Sequence, residues 1–294
     1  MTDVTIGMPV LNGELSVRNA IRDLQSQTYK DFKLIVCDNA SDDNTVAVVE
    51  QLAQNDSRIE LRKFEERVDV LLNFERAFDA AETEYFMFAA ADDRWYPEFI
   101  ENNLKVLKQF PDVVASTGRV AFTSNGKFSH ISTGTRPYLN SAHENFLDYL
   151  IGPNENARIF SLFRQEALVD AFPKKFYPGW DFQLIARVVC KGKFHELHEV
   201  LCERELTPAE NYIIQAEKYF GSVIASIIPL RTYIFAILKD KNFAGIKGKK
   251  RTLLKLAYKS HMNYAKHRLP RWHGLLERFQ NFFELDEFEQ FQSK

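Results

Sequence analysis

Acidic side chains follow two apolar runs in the first hundred residues, at the point where each run ends. Asp38 comes directly after FKLIVC, and Asp92 and Asp93 come directly after EYFMFAAA. Carboxylate oxygens are ligands that Mg²⁺ and Mn²⁺ prefer, and such a cation can also bind the two phosphates of a nucleotide. The pattern is therefore consistent with a metal–diphosphate site. On spacing alone, however, capping of the helix predicted after Pro97 is favoured over metal binding by Asp92 and Asp93.

The loop after the first apolar run has no phosphate-binding signature. Its sequence, GMPVLNGE, contains neither G-x-G-x-x-G nor G-x-x-x-x-G-K-[ST], and it has no Lys or Arg. This disfavours a Rossmann dinucleotide site or a P-loop. It also weakens the alternative of a nucleotidyl- or phosphotransferase, which would need a basic loop there. Four arginines remain candidates for phosphate contact, although surface arginines are more often simply solvated: Arg67, Arg76, Arg94 and, after the last predicted strand, Arg204.

A regular alternation of apolar runs and amphipathic segments positions these residues. Strands that alternate with helices of this length predict a mostly parallel sheet with helices on both faces. Ligands of such sheets bind beyond the carboxyl ends of the strands, so the acids after the second and fourth strands should face one crevice. The predicted strands span residues 4–8, 32–37, 59–64, 84–88, 113–121, 157–163 and 194–202, and the predicted helices span 14–27, 41–52, 68–81, 97–110 and 180–190.

Length and composition exclude several classes of protein. The 294 residues are 45% hydrophobic and 27% charged, which is typical of a globular protein and excludes a mainly disordered chain. A net charge of −2 gives no basic excess, so no nucleic-acid partner is expected. The three cysteines are too few for a disulfide scaffold, and the N-terminus has no signal-peptide pattern. We therefore expect a reducing, cytoplasmic location.

From about residue 208 the pattern becomes helical throughout, which predicts an α/β domain over 1–207 and a helical C-terminal region over 208–294. The most apolar segment, 221–238, contains a Pro and an Arg, so we expect a buried or interfacial helix rather than a membrane span. Residues 239–278 contain twelve Lys or Arg and two acids. They are consistent with a solvated helix face, with peripheral contact to the anionic inner face of a membrane, or with contact to an anionic acceptor or another subunit of a homo-oligomer.

Three N-terminal segments keep a characteristic order and spacing: TIGMPVLNGE, QTYKDFKLIVCDNASDDNT and NFERAFDAAETEYFMFAAADDRWYPEFI. Together, over about residues 3–120, they resemble the nucleotide-sugar-binding half of family 2 glycosyltransferases, which have the GT-A fold. A later segment, PGWDFQLIARVVCKGKFHELHEVLCER, resembles the acceptor side of such enzymes. The resemblance implies an α/β GT-A nucleotide-sugar-binding fold with a mostly parallel mixed sheet. Residues 1–120 would be the nucleotide-sugar half, and 121–207 the acceptor half.

The resemblance also implies roles for individual residues. Asp38 matches the acid that hydrogen-bonds the uracil or ribose, and Asp92 matches the acid of the Asp-x-Asp motif that binds the metal. Asp181 matches the general base that deprotonates the acceptor hydroxyl, although on spacing alone it is more simply a helix N-cap. The further candidates for nucleotide-sugar binding are the loop residues Pro9, Val10 and Asn12, together with Asn73, Asp93, Arg204 and Trp180, whose ring could stack on a sugar.

One position departs from the family pattern. The first acid of the metal motif falls at Ala90, so a catalytically weakened nucleotide-sugar-binding relative is the alternative. The resemblance otherwise implies an inverting glycosyltransferase that uses Mn²⁺ or Mg²⁺ and a nucleotide-sugar donor, which we expect to be UDP-linked. The acceptor would be a hydroxyl of a glycan or a lipid-linked glycan in polysaccharide biosynthesis. One base, Asp181, would suffice because the leaving nucleotide needs no proton.

A zinc site is a further alternative. Cys190, His195, His198 and Cys202 follow the spacing C-x4-H-x2-H-x3-C. They fall across a predicted strand, where alternation points neighbouring side chains to opposite faces, and structural zinc pairs are usually further apart. Zinc is therefore disfavoured, and His195 or His198 could instead reach the active-site metal or the phosphates.

Overall fold

The apolar runs of the first hundred residues form the centre of a mixed sheet. A computed structural model describes residues 2–152, 155–206, 221 and 230–274, apart from the side chain of residue 267. The strands are β1 (Val4–Val10), β2 (Phe32–Asp38), β3 (Ile59–Lys63), β4 (Tyr85–Phe88), β5 (Arg94–Trp95), β6 (Val113–Ser124), β7 (Lys127–Ile131), β8 (Leu162–Arg164) and β9 (Lys193–Glu205). Within the described residues they pair in the order β3-β2-β1-β4-β8-β6-β9-β5, and β7 pairs with β6.

The first four strands form the parallel half of this sheet. β2 and β4 flank β1, and β3 lies outside β2. Leu34, Ile35 and Val36 are fully buried on both faces of β2, as expected for a parallel strand covered by helices on both sides. The parallel arrangement predicted for this part of the chain is therefore confirmed. The register pairs Val10 with Asp38, so β1 and β2 end at the same edge.

The other half of the sheet is mainly antiparallel. β8 pairs antiparallel with both β4 and β6, whereas β9 runs parallel to β6. At the opposite edge β5 pairs antiparallel with the end of β9. Because both neighbours pair with this end, β9 continues to Glu205, three residues beyond the predicted end at 202. Arg204 therefore lies within a strand and not in the loop after it.

The helices cover the sheet with apolar stripes. α1, for example, buries Val17, Ala20, Ile21 and Leu24, the spacing of one helix face. The helices are α1 (Val17–Gln25), α2 (Thr45–Ala53), α3 (Val70–Asp79), α4 (Phe99–Gln109), α5 (Ala142–Ile151), α6 (Gln165–Leu168), α7 (Trp180–Val189), α8 (Arg231–Lys239) and α9 (Lys249–Arg268), with 3₁₀ helices at Ala157–Phe160 and Lys241–Phe243.

The segments 142–151 and 157–163 differ from the sequence prediction. The strand predicted over 157–163 is wrong, because Ala157–Phe160 form a 3₁₀ helix and only the short β8 follows. A short apolar run does not distinguish a strand from a buried helical turn, and Asn156, with φ of 47°, turns the chain into the helical conformation. α5 was not predicted. Its signal is a capping box, in which Ser141 and Glu144 satisfy each other's backbone N–H groups.

By their internal contacts the residues fall into two units, Met1–Phe176 with Trp180–Leu206 and Tyr177–Gly179 with Thr207–Lys294. The second unit contains α8 and α9, which contact each other. No helix in the described part of the chain is both long and apolar enough to cross a membrane. The helical predictions for 207–220, 222–229 and 275–294, including most of the apolar segment 221–238, fall outside the described residues.

Candidate active site

A cavity of about 340 Å³ opens where β1 and β4 end. This is the carboxyl edge of the parallel strands, where ligands of α/β sheets bind. Its walls come from the loop after β1 and the segment after β4, and from one residue each of α3, the first 3₁₀ helix and β9. The lining residues are Pro9, Val10, Leu11, Asn12, Gly13, Ser16, Phe74, Ala90, Ala91, Asp92, Phe160 and Arg204.

Hydrogen bonds join the loop after β1 to the loop after β2. The backbone N–H of Asn12 donates to Ser41 Oγ at 2.9 Å, and that of Asp42 donates to Asn12 Oδ1 at 3.0 Å. Asn12 has a φ of 54°, a left-handed conformation that Asn adopts more readily than most residues. The cavity wall formed by residues 9–13 is therefore held by the turn that follows Asp38.

Two buried oxygen atoms near this wall have no hydrogen-bond partner among the described residues. Asp38 Oδ2 accepts from the backbone N–H of Ser41 at 3.1 Å, whereas Asp38 Oδ1 has no donor. Asn73 Nδ2 donates to the carbonyl of Cys37 at 3.2 Å, whereas Asn73 Oδ1 has no donor. An unsatisfied buried polar atom costs about 1–3 kcal/mol. Both atoms can accept a hydrogen bond from an N–H or O–H group of a ligand or from water.

The segment after β4 exposes one acid in the cavity and buries the next. Asp92 is exposed and lines the cavity beside Ala90 and Ala91. Asp93 is 4% exposed and forms an ion pair with Arg204, in which Oδ2 and Nε are 2.9 Å apart but poorly aligned for a hydrogen bond. Burial raises the pKa of Asp93 to about 6; the charge of Arg204 opposes this rise, and that of Asp92 adds to it. Asp92 is thus available to a ligand, whereas Asp93 holds Arg204.

Strand pairing explains how Arg204 reaches this place. Arg94 of β5 stands opposite Glu203 of β9, and Trp95 stands opposite Cys202; Asp93 and Arg204, the next residues on each side, meet through their side chains. The guanidinium group of Arg204 also lies over the ring of Phe160, 4.6 Å from its centroid. Since arginine stacks favourably on aromatic faces, this contact fixes the cation at the cavity wall.

Asp181 lies in the first turn of α7, and the same arginine acts on it. Asn156 Nδ2 donates to Asp181 Oδ2 at 2.8 Å. Burial raises the pKa of Asp181, whereas the hydrogen bond from Asn156, backbone N–H groups and the charge of Arg204 lower it. The charge of Arg204 thus lowers the pKa of both Asp93 and Asp181, whereas Asp181 itself is not among the residues that line the cavity.

Trp180 packs behind the cavity wall. Its ring meets Phe74 edge-on with the centroids 5.2 Å apart, and the residue is 6% exposed. Phe74 itself lines the cavity and packs on Phe88 of β4 at 4.9 Å. In contrast with the expected stacking on a sugar, an indole buried to this extent has no open face for a ligand. Trp180 instead anchors the beginning of α7 against α3.

The acids of the site fit a cation that is shared with phosphate groups. In the part of the chain that the structure describes, no three His, Cys, Asp or Glu residues lie close enough to hold a metal by themselves. Magnesium sites for nucleotides commonly use one or two carboxylates and complete the shell with phosphate oxygens and water. The exposed carboxylate of Asp92 suits that kind of site. The four residues of the zinc alternative form no such cluster, and His198 Nδ1 instead contacts Arg119 Nη2 at 3.0 Å.

The cavity brings together five of the predicted residues, namely Pro9, Val10, Asn12, Asp92 and Arg204. Three other arginines considered for phosphate contact are engaged elsewhere: Arg94 pairs with Asp23 at 2.6 Å, Arg67 with Asp42 at 3.4 Å, and Arg76 stacks on Phe64 at 4.0 Å. Sequence reasoning missed Phe74, Phe160 and Asn156. The aromatic residues carry no motif, and the contact of Asn156 with Asp181 joins residues 25 positions apart.

Comparison with known proteins gives a consistent family. The family model for glycosyl transferase family 2 matches residues 5–172. Among curated proteins, the UDP-Glc:alpha-D-GlcNAc-diphosphoundecaprenol beta-1,3-glucosyltransferase WfgD of Escherichia coli is 32% identical over 104 residues, which are 35% of this chain and 40% of that protein. The chain likewise spans only 45%, 52% and 36% of the length of three further curated relatives.

Solved structures show the same fold at low sequence identity. A crystal structure of S. aureus TarS, residues 1–349, in complex with UDP-GlcNAc has a TM-score of 0.65 and 15% identity, and the match covers 90% of this chain and 74% of that one. The mannosyltransferase PcManGT from Pyrobaculum calidifontis, in complex with GDP-Man and Mn²⁺, has a TM-score of 0.57 and 18% identity, with 98% and 82% covered. The GT-A fold expected from the sequence is thereby confirmed. Since the family model matches more than half of the 294 residues, this chain belongs to glycosyl transferase family 2.

Proposed function

We propose that this chain is an inverting, metal-dependent glycosyltransferase that transfers a sugar from a UDP-linked donor to a hydroxyl of a glycan or a lipid-linked glycan. One observation carries the proposal: Arg204 and the exposed acid Asp92 line one cavity at the carboxyl edge of the parallel strands, where Asp93 pairs with Arg204. A cation on Asp92 and the guanidinium group of Arg204 would therefore meet the diphosphate of a donor at the same place. Residues 1–207 would form the catalytic domain, with the donor half at 1–120 and the acceptor half at 121–207.

The uracil and ribose would bind at the loops after β1 and β2. Asp38 Oδ1 and Asn73 Oδ1 are buried acceptors without a donor, and uracil has one N–H group and ribose two O–H groups to offer. Pro9, Val10 and Asn12 would form the adjoining wall of this subsite. The TarS structure, which has the same fold, contains UDP-GlcNAc, and this supports UDP as the nucleotide.

The diphosphate would bind between Asp92 and Arg204. Asp92 would hold Mn²⁺ or Mg²⁺, the cofactor of the reaction, and Mn²⁺ is present in the PcManGT structure. When bound, the cation supplies electrostatic stabilisation of the charge that develops on the departing diphosphate. The guanidinium group of Arg204 would add a fixed positive charge at the same place. The Asp93 carboxylate keeps that group at the cavity wall.

Asp181 would act as the general base. Its Oδ2 accepts from Asn156, so Oδ1 would take the proton of the acceptor hydroxyl. The hydroxyl oxygen would form its bond to the anomeric carbon while the bond from that carbon to the β-phosphate oxygen breaks. Attack from the face opposite the leaving group inverts the anomeric configuration. UDP leaves without a proton, so a second carboxylate is not needed as an acid.

A panel of nucleotide sugars tests the donor assignment by thermal unfolding. The panel comprises UDP-GlcNAc, UDP-glucose, UDP-galactose and GDP-mannose, each with MnCl₂ or with EDTA. A ligand at 100 times its Kd stabilises the folded protein by about 2.7 kcal/mol. We expect at least one UDP-sugar to raise Tm with Mn²⁺ and not with EDTA, and GDP-mannose to leave it unchanged. A panel in which no UDP-sugar raises Tm would contradict the proposal.

Ala90 favours one second candidate, a nucleotide-sugar-binding relative with weakened catalysis. It stands where the family pattern has the first acid of the metal motif, and it lines the cavity next to Asp92. A donor that raises Tm with Mn²⁺ but releases no UDP over hours would indicate this second function. Release of UDP that depends on Mn²⁺ would exclude it.

We further propose that α9 contacts an anionic membrane surface from the cytoplasmic side. The described residues 230–274 contain twelve Lys or Arg and one acid, Asp240. Five cations of α9 are exposed, Lys250, Arg251, Lys259, Lys266 and Arg268, and so is Leu254 at 72%. The first four of these, Lys250, Arg251, Lys259 and Lys266, are here called the basic face of α9. Basic side chains with interspersed apolar ones suit anionic lipid headgroups, and WfgD, by its name, uses an acceptor linked to undecaprenol.

Charge reversal on the basic face tests this contact. Each basic residue near an anionic surface contributes about 1 kcal/mol, so replacing all four by Glu should weaken binding to phosphatidylglycerol-containing vesicles by about 100-fold or more. Cosedimentation with those vesicles, and with pure phosphatidylcholine, measures the effect. The matched control changes four exposed lysines of the other unit, Lys30, Lys127, Lys174 and Lys175, to Glu. Equal vesicle binding by both variants would refute the contact. A change in sedimentation coefficient without a change in vesicle binding would indicate a subunit contact instead.

A further inference from the structure

The hydrogen bond that Asp181 accepts belongs to a chain of three side chains, of which Tyr149 and Asn156 are buried and Asp181 is half-buried. Tyr149 of α5 donates its hydroxyl hydrogen to Asn156 Oδ1 at 2.9 Å. Asn156 Nδ2 in turn donates to Asp181 Oδ2 at 2.8 Å. Tyr149 is fully buried and Asn156 is 1% exposed. The three residues come from α5, from the loop before the first 3₁₀ helix and from α7, so the chain connects three separate elements.

The Tyr149 hydroxyl selects the orientation of the Asn156 amide. An amide presents an acceptor on one side and two N–H donors on the other. With the hydroxyl donating to Oδ1, the N–H groups face Asp181. The reversed amide would place its oxygen against the carboxylate oxygen of Asp181, and that contact is repulsive whenever Asp181 is ionised. Because Asn156 is buried, a reversed amide would leave the Tyr149 hydroxyl without the acceptor that it has now.

The backbone of Asn156 is also specialised. Its φ of 47° and ψ of 35° are left-handed, a conformation that Asn and Gly tolerate better than other residues. The 3₁₀ helix that begins directly after it carries Phe160, the ring on which Arg204 stacks. One short segment therefore supports both the contact to Asp181 and the platform for Arg204.

We infer that Asn156 is a positioning residue for Asp181: its hydrogen bond to Oδ2 fixes the orientation in which the carboxylate would meet the acceptor hydroxyl. This inference rests on the proposed role of Asp181 as the base. Asn156 contacts no reacting atom, so its effect would pass entirely through the orientation and the charge of Asp181.

The electrostatics around Asp181 agree with this role. Burial raises the pKa of the carboxyl group, and the Asn156 hydrogen bond is the largest of the effects that lower it. The backbone N–H groups of Asp181 and Phe182 and the charge of Arg204 on β9 also lower it. Tyr149 of α5 donates to the same amide, at Asn156 Oδ1. Removal of the Asn156 amide should therefore raise the pKa of Asp181.

The variant Asn156→Gly removes the amide and keeps the left-handed backbone, which Gly adopts without strain. We expect UDP release from the best donor of the panel, with Mn²⁺, to fall by about 10- to 100-fold at neutral pH, the usual effect of a lost hydrogen bond to a charged group. The acid limb of the pH–rate profile should move to higher pH, while the Kd for UDP with Mn²⁺ stays within about twofold. Tyr149→Phe removes the hydroxyl that orients the Asn156 amide but keeps the aromatic ring. It should also move the acid limb to higher pH, by a smaller amount than Asn156→Gly.

Asn125→Gly is the matched control, because Asn125 has a similar φ of 52° in the exposed turn between β6 and β7. It should leave the rate and the pH profile unchanged. A lower Tm for Asn156→Gly with an unchanged acid limb would show a purely structural role and overturn the inference. If that variant does not fold, the pH profile of Tyr149→Phe decides, and an unshifted limb overturns the inference. Full activity of Asp181→Asn would instead overturn the proposed role of Asp181 as the base. If Asp181→Asn lost activity while Asn156→Gly and Tyr149→Phe behaved like the wild type, only the role of Asn156 would be refuted.

Discussion

Replacement of Asp181 by Asn is expected to lower the rate of UDP release by about 10²–10⁴-fold, the usual contribution of a general base. The amide has nearly the volume of the carboxyl group but cannot accept the proton of an acceptor hydroxyl or of water. Asp181 is not among the residues that line the cavity, so the Kd for UDP with Mn²⁺ should stay within about twofold. Steady-state release of UDP and calorimetric titration with UDP measure the two quantities separately.

The pKa of Asp181 determines how the rate of UDP release should change with pH. The folded protein raises the pKa of Asp181 through burial, so the wild-type rate should rise with pH as Asp181 ionises. An acid with a raised pKa stabilises the fold at low pH, and this contribution is lost as the pH rises through that pKa. Asp181→Asn should therefore lack the acid limb and be at least as stable as the wild type at pH 8. Asp31→Asn, on an exposed loop, is the control, and a wild-type rate in Asp181→Asn would contradict the assignment.

Replacement of Asp92 by Asn is expected to abolish the effect of Mn²⁺ on the nucleotide. Asp92 is the exposed acid of the cavity, and an amide is a much poorer ligand for a divalent cation. The Kd for UDP measured with Mn²⁺ should rise to the value measured with EDTA, and the rate of UDP release should fall by about 10²-fold or more. Because Asp92 is exposed, Tm without ligand should change little.

A matched acid separates this effect from a general loss of negative charge. Glu98 is exposed near the beginning of α4 and does not line the cavity, so Glu98→Gln should keep the response to Mn²⁺. Titration with UDP in MnCl₂ and in EDTA compares the two variants with the wild type. If Asp92→Asn kept a wild-type response to Mn²⁺, the cation would have to bind through other groups.

The parallel half of the sheet is predictable from the sequence because its strands are continuous apolar runs separated by amphipathic helices. That pattern leaves few alternatives, and it places the ends of β1, β2 and β4 at one edge. The positions of Asp38 and Asp92 follow from the same reasoning. Their different burial does not, because it depends on which neighbouring residues cover each carboxyl group.

The acceptor half is less predictable because its contacts join distant elements. The position of Arg204 depends on the antiparallel pairing of β5, a strand of only two residues. The burial of Trp180 depends on Phe74, which comes from α3. The segment 157–163 has the composition of a strand, but the left-handed turn at Asn156 makes its first part helical. A single sequence carries no local signal for any of these three arrangements.

The binding of Mn²⁺ itself, followed by the electron paramagnetic resonance signal of the free ion, tests the shared metal–diphosphate site most directly. We predict that UDP tightens the binding of Mn²⁺, and that Mn²⁺ tightens the binding of UDP by the same factor, since coupling between two ligands is reciprocal. The coupling should disappear in Asp92→Asn. Equal affinity for Mn²⁺ with and without UDP in the wild-type protein would contradict the account.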